Sequence, residues 1–315
     1  MPAEATSRER PDRRPPSTLH TRGESRVDQN VPATSSVRPG DGITAFVGDG
    51  TGDAGASAVD APGTAPPPHV SGIGPGVAHP GRATDYLVGG GHNFRVDRDL
   101  AGQWLRACPE CRAAAVASRA FQRRAVRHAA ARGLRRFVDL GCGPGGVGAP
   151  HTVLADQPQA TVTYVCSDGI EAALGRRLVG ESRYAVVLAD PRLPISTWTR
   201  VLITERCAPC DPVVLVAVGL AEHLDGTGGW GSVLAGWRRI LPVGSLLVVS
   251  AALKTAARPG PGPERALAAA VERAGWTVQA PVQRANRWCP EVDVDVPAPP
   301  VCLAVNAEPA TAGPL

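Results

Sequence analysis

The sequence predicts an α/β chain: a doubly wound parallel sheet of about seven strands with a helical extension ahead of it. Three observations predict this. From residue 135 onward, short apolar runs alternate regularly with helical patterns. The runs are continuously apolar rather than alternating, as strands covered on both faces should be. The first run ends in an acid and enters a glycine-rich turn, Phe137-Val138-Asp139-Leu140-Gly141-Cys142-Gly143-Pro144-Gly145-Gly146. In open α/β sheets the carboxyl end of a first strand is where ligands bind.

Taken in order, residues 1–78 differ from the rest. They hold no Trp, Tyr or Cys and one Phe, Phe46, and are dense in Pro and Gly. Such a segment buries too little apolar surface to offset chain entropy, so a disordered tail is expected. Order is expected from His79-Pro80. Arg82 to Phe94, with Gly89-Gly90-Gly91 inside it, reads as a short helical turn in a loop able to fold over a site. Asp97 or Asp99 should open a helix carrying Leu100, Trp104 and Leu105. A longer helix follows Pro109 and runs to Arg132, with Gly133 as its stop. Arg112, Arg119, Arg123 and Arg127 form a stripe on it, read as a solvated face, with Val116, Phe121 and Ala125 on the other faces.

After the glycine turn, strands are expected near 161–166, 184–189, 213–218 and 244–250, and two more near 276–280 and 300–305. Helical patterns fill 148–157, 169–180, 229–241 and 263–274. The expected divisions are therefore a tail over 1–78, a helical cap over 79–134, a sheet domain over 135–306 and a short tail over 307–315.

Composition narrows the function. Net charge is +4, and Lys254 is the only lysine among 33 basic residues. An arginine excess of this kind looks like coding bias, so the charge does not argue for a nucleic-acid partner. No apolar run is long enough to span a membrane, and no secretory pattern opens the chain. A cytoplasmic protein with reduced cysteines is expected. Cys108-x-x-Cys111 and Cys207-x-x-Cys210 lie nearly a hundred residues apart, unlike the close pairs of a zinc ribbon, so no metal is assigned.

The glycine turn has two candidate ligands. Gly141-x-Gly143-x-x-Gly146 satisfies the dinucleotide fingerprint, a weak match alone. Asp139 argues the other way. A carboxylate there repels a pyrophosphate but holds a cationic amino group, which suits S-adenosylmethionine.

These residues together resemble the actinobacterial S-adenosylmethionine-dependent methyltransferase family. Its Arg-x-x-Asp-Tyr-Leu-x-Gly-Gly-x-x-Asn-Phe box is matched by Arg82, Asp85, Tyr86, Leu87, Gly89, Gly90, Asn93 and Phe94. Arg119-Ala120-Phe121 and Arg123 to Arg127 match its long helix. Phe137 to Gly143 match its turn, and Tyr164, Val165 and Asp168 its second strand. Ala189-Asp190, Gly244 to Ser250, and Arg287-Trp288 with Pro290 match later elements. The resemblance implies a methyltransferase sheet with a reversed last hairpin. It implies that Asp139, Gly141 and Gly143 cradle the methionine half and that Asp190 contacts the adenine. Tyr86 and Asn93 would close over the cofactor.

The chain also departs from that pattern. Cys166 stands where the family has the ribose-binding acid, and Asp168, two residues on, is the candidate substitute. Gly91-His92 replaces Lys-Asp, Ser118 replaces Asn, and Thr152 replaces the acid beside His151. Gly219-Leu220 replaces Leu-His, and Ala251 replaces a His. His92 and His223 are the histidines best placed to face a pocket. Two readings stay open: a methyltransferase acting on a small molecule, and a catalytically degenerate relative that binds or regulates. A nicotinamide-dependent oxidoreductase is disfavoured by Asp139. The oligomeric state and the acceptor are not legible.

Overall fold

The computed structural model describes residues 74–141, 145, 148–180, 183–205, 210–224, 230–258, 261–288 and 297–307. The expected tail over 1–78 lies outside the described residues except for 74–78, and the tail over 307–315 except for Ala307. Gly143 and Cys207 also lie outside them.

Three helices come first: α1 (Pro80–Leu87), α2 (Arg95–Ala107) and α3 (Cys111–Ala131). The segment read as a loop with a short turn thus contains a full helix, α1, with Pro at its start. Helix α2 begins earlier than Asp97 or Asp99. Phe94 caps it, and Asp97 in its first turn accepts the Phe94 N–H at 2.8 Å. An acid therefore marked the first turn, not the boundary.

The sheet follows: β1 (Arg136–Asp139), β2 (Thr161–Cys166), β3 (Tyr184–Leu188), β4 (Val213–Ala217), β5 (Leu246–Ser250), β6 (Thr277–Val278), β7 (Gln283–Arg284) and β8 (Pro300–Val305). Between them lie α4 (Pro150–Val153), α5 (Gly169–Val179), α6 (Pro194–Glu205), α7 (Trp230–Ile240) and α8 (Gly262–Arg273). The strand order is β3-β2-β1-β4-β5-β8-β6, with the two-residue β7 also paired to β8. Strands β1 to β5 are parallel, and β8 runs antiparallel to β5. This is the α/β, Rossmann-like methyltransferase sheet with a reversed final hairpin.

Three elements differ from the sequence reading. Helix α4 is four residues, shorter than the 148–157 pattern. Helix α6 was not foreseen: no element is expected from the sequence over 194–205, where Ile195, Thr197, Thr199 and Val201 are β-branched and disfavour a helix. A parallel pair such as β1–β4 nevertheless needs covered crossovers, and packing overrides the propensity. Strand β7 is too short to carry a pattern.

Strand period sorts the core into two layers. Phe137, Val214, Val216, Leu246, Val248, Val301 and Leu303 face α3 and Trp288. Their neighbours Val138, Leu215, Leu247, Val249 and Cys302 face Trp198, Trp237 and Trp276 on the other side. A third, smaller core joins α1, α2 and the start of α3 to Leu253. Helix α3 thus serves both units, its first turns in the cap and the rest against the sheet. The arginine stripe is solvated only at its ends: Arg112 and Arg127 are exposed and Arg123 is half-buried, but Arg119 is 4% exposed, whereas Val116 is 52% exposed.

Candidate active site

The site gathers at the carboxyl ends of β1, β2 and β3. Asp139 ends β1 and is fully buried. One of its oxygens accepts the Gly141 N–H at 3.0 Å, and Gln122 Nε2 of α3 donates to the other at 3.4 Å. Gln122 is also fully buried, and its Oε1 has no hydrogen-bond donor among the described residues. The two buried side chains therefore meet at the carboxyl end of β1 through the Gln122 amide nitrogen. The sequence reading missed Gln122. The signal was a polar residue inside the apolar face that Ser118, Gln122, Ala125 and Ala129 form at helical spacing.

Gly141 has a different reason from the one expected. A Cβ there would lie 2.2 Å from the Val218 carbonyl oxygen, so the glycine lets the turn pass against the end of β4. The Gly141 carbonyl accepts from His223 Nε2 at 3.0 Å. His223 is thus drawn into the site. Burial lowers its pKa to about 4, so the ring is neutral near pH 7.

At the end of β2, Cys166 is buried and burial pushes its thiol well up. Asp168 caps α5, accepting the Glu171 N–H at 2.8 Å, and pairs with Arg82 Nη1 at 2.6 Å. Arg82 is itself 2% exposed, and its Nε meets Asp97 at 2.9 Å. The box that precedes the sheet is therefore tied to the β2–α5 corner by a buried charge network. His79 Nε2 lies 3.3 Å from Ser167 Oγ and its Nδ1 3.8 Å from Glu171. Burial, then the charge of Asp168, raises Glu171 to about 7.

At the end of β3, Asp190 is buried and its carboxylate is gripped by Arg192. Nε lies 2.9 and 3.0 Å from the two oxygens and Nη2 2.7 Å from Oδ2. A cavity of about 160 Å³ lies at the ends of β2 and β3, lined by His79, Ser167, Asp168, Asp190, Arg192 and His223; Asp139, Gly141 and Gln122 are not among its lining residues.

Tyr86 and Asn93 do not line it. The Tyr86 ring receives the Arg112 guanidinium at 5.4 Å. Asn93 Nδ2 donates to Asp85 at 3.0 Å and to the Gly90 carbonyl at 2.9 Å. A Cβ on Gly90 would strike the Asp85 carboxylate, so Asp85, Gly90 and Asn93 form one folded loop. His92 is placed by its N–H bond to Asp85 and rests against Gly145 of the glycine turn.

The S-adenosyl methyltransferase family model matches residues 68–283, more than half of the chain. The chain belongs to that family. Among solved structures it is similar to a DUF574 family protein from Streptomyces avermitilis, at 24% identity and a TM-score of 0.60, over 72% of this chain and 97% of that one. A candidate methyltransferase from Thermobifida fusca aligns at 24% identity and a TM-score of 0.63, over 78% of this chain and all of that one. Both likenesses concern the fold. No curated protein matches the chain.

For a member of this family the fit to S-adenosylmethionine can be judged from the side chains present. The Asp139 carboxylate and Gln122 Oε1 suit an ammonium, which needs acceptors in a dry setting. At the end of β2 the chain presents a neutral thiol, Cys166. Asp168 and Asp190 reach the cavity, each already paired with an arginine. Arg192, which holds Asp190, is itself a third exposed. Among the described residues no cluster of His, Cys, Asp or Glu could hold a metal ion. Cys108, Cys111, Cys166, Cys210 and Cys302 are free thiols. No described helix is long and apolar enough to cross a membrane.

Proposed function

We propose that the protein transfers a methyl group from S-adenosylmethionine to a small-molecule acceptor. The observation that carries this reading is the pair of buried acceptors, Asp139 and Gln122 Oε1, at the carboxyl end of β1. In it, Asp139, Gly141 and Gly143 hold the methionine half, Asp168 serves the ribose and Asp190 the adenine. Tyr86 and Asn93 act by shaping the box that covers the site. The cap over 79–134 closes on the sheet domain over 135–306. The cofactor supplies an activated methyl group on a positively charged sulfur. The chain has to bind the two reactants in line and exclude water, so positioning carries most of the catalysis. The neutral His223 anchors the Gly141 carbonyl and so fixes the turn. Free thiols suit a cytoplasmic setting.

A second reading is favoured by Cys166 and the two ion pairs, Arg82–Asp168 and Arg192–Asp190. It is a methyltransferase-like protein that binds or regulates without catalysis, because function resides in the site and not the fold. Calorimetric titration of S-adenosylhomocysteine into the full chain decides between them. Binding that falls about 10- to 100-fold in Asp139→Asn, the range for a hydrogen bond to a charged group, supports methyl transfer. The asparagine keeps an oxygen for the Gly141 N–H. A folded wild-type chain that takes up no cofactor puts the second reading first.

A further inference from the structure

The cap carries a pair of cysteines that methyl transfer leaves unused. Cys108 closes α2 and Cys111 opens α3, with Pro109 and Glu110 between them. The Cys111 N–H donates to the Cys108 carbonyl at 3.0 Å, which closes a β-turn. Proline at the second position and Glu110 at φ −73°, ψ −11° are what a type I turn takes. Such a turn holds its end Cα atoms less than about 7 Å apart. A disulfide spans Cα separations of about 4.4–6.8 Å. The backbone therefore already brings the two free thiols within bridging reach.

Their surroundings give the two sulfurs different parts. Cys108 Sγ donates to the Glu110 carboxylate at 3.7 Å, so a proton acceptor stands beside it. Burial, then the adjoining Cys108, pushes Cys111 up to about 12, so Cys111 keeps its proton near pH 7. Cys108 is thus the sulfur that attacks and Cys111 the one that resolves.

Both thiols are buried, yet both line a cavity of about 380 Å³ beneath the cap. Trp104 and Leu253 supply its apolar walls, and Glu222, Lys254 and Arg258 its charged ones. Lys254 and Arg258 are exposed, so the cavity opens to solvent. A small reagent reaches the sulfurs by this route, whereas a folded protein does not.

We propose that Cys108 and Cys111 form a redox site, which a small hydroperoxide oxidises to an internal disulfide. Cys108 passes its proton to Glu110, and the thiolate attacks the nearer peroxide oxygen. The O–O bond breaks, and the departing oxygen takes up the proton. Cys108 is now a sulfenic acid, and its two electrons have reduced the peroxide. The Cys111 sulfur then attacks the Cys108 sulfur, the S–O bond breaks, and the oxygen leaves with the Cys111 proton as water. Two thiols and one hydrogen peroxide thus give one disulfide and two waters. The bridge fixes the joint between α2, whose Asp97 holds Arg82, and α3, whose Gln122 reaches Asp139. The site stands whether or not the chain transfers methyl groups.

The test exposes the full, folded chain to hydrogen peroxide, alkylates the remaining thiols and cleaves after arginine. Ala107–Arg112 is released as one peptide holding both cysteines and no other. It is expected unalkylated and two hydrogens lighter than the dithiol, and dithiothreitol should restore both thiols. With dimedone present, Cys111→Ala should trap a sulfenic acid on Cys108, and Cys108→Ala should leave Cys111 untagged. The proposal is overturned if the folded wild-type peptide returns doubly alkylated after the exposed Cys210 has oxidised. It is equally overturned if Cys108 proceeds to a sulfinic acid without a bridge, if the bridge forms only in denaturant, or if Cys111 takes the tag. The wild-type measurements need no variant and decide the matter if either alanine chain fails to fold.

Discussion

Gly141 shows how a residue chosen for one reason from sequence has another in the structure. An added Cβ would meet backbone, the Val218 carbonyl oxygen at 2.2 Å, and backbone cannot step aside as a side-chain tip can. Gly141→Ala should cost about 1–3 kcal/mol, the usual penalty for overpacking, measured by urea denaturation. Wild-type stability in that variant would restore ligand clearance as the reason for the glycine. The titratable cluster beside it gives a pH signature. Glu171, raised to about 7, holds its proton more tightly folded than unfolded, so its contribution is lost as pH rises from about 4.5 to about 7. His79 and His223 are lowered to about 3 and about 4 by burial, joined for His79 by the charge of His223. They bind protons less well folded, so stability is gained as pH rises toward 6.5. Two histidines outweigh one acid in the shared window, and the melting temperature should rise from pH 4.5 to 6.5. Glu171→Gln should match wild type near pH 4 and exceed it at pH 8. A variant with the wild-type profile throughout would mean that Glu171 ionises freely.

At the scale of elements, the box before the sheet is a structural clasp. Arg82 bridges Asp97 of α2 and Asp168 at the head of α5, and Asp97 also holds the His79 and Phe94 N–H groups. Removing one member strands buried charge, so Arg82→Met should destabilise by about 3–5 kcal/mol in chemical denaturation. A loss below about 1 kcal/mol would show the network to be solvent-screened. The elements that sequence displayed well were those with an unbroken period: β2, β4, β5, α5, α7 and α8. Helix α6 was hidden because β-branched side chains dominate its first turns, and α1 because a triple glycine follows it closely. Among site residues, Asp139, Asp168 and Asp190 lie at strand ends, where the alternation itself points to them. Gln122, His79 and Glu171 could not be placed from sequence, since what pairs Gln122 is α3 lying against the end of β1, and what pairs His79 with Glu171 is the cap folding back onto the β2–α5 corner.

At the scale of the molecule, one sheet sets up two compartments on the same rim. The polar cavity gathers at the ends of β2 and β3, and the one with apolar walls lies beneath the cap. Both depend on the fourth and fifth strands keeping register, since the turns that follow them carry His223, Glu222 and Leu253. That register is completed from an unexpected quarter. Strand β8 is made last of all the strands, yet it lies inside the sheet, between β5 and β6. Its carbonyl at Pro300 accepts the Ala251 N–H just past β5. During synthesis, β5 therefore waits with an open edge while α8, β6 and β7 are made. An edge of Leu246-Leu247-Val248-Val249 is the kind that recruits other chains. A chain ending before Pro300 would lose its sheet partner permanently, making this late strand the step at which the newborn protein is most exposed to aggregation.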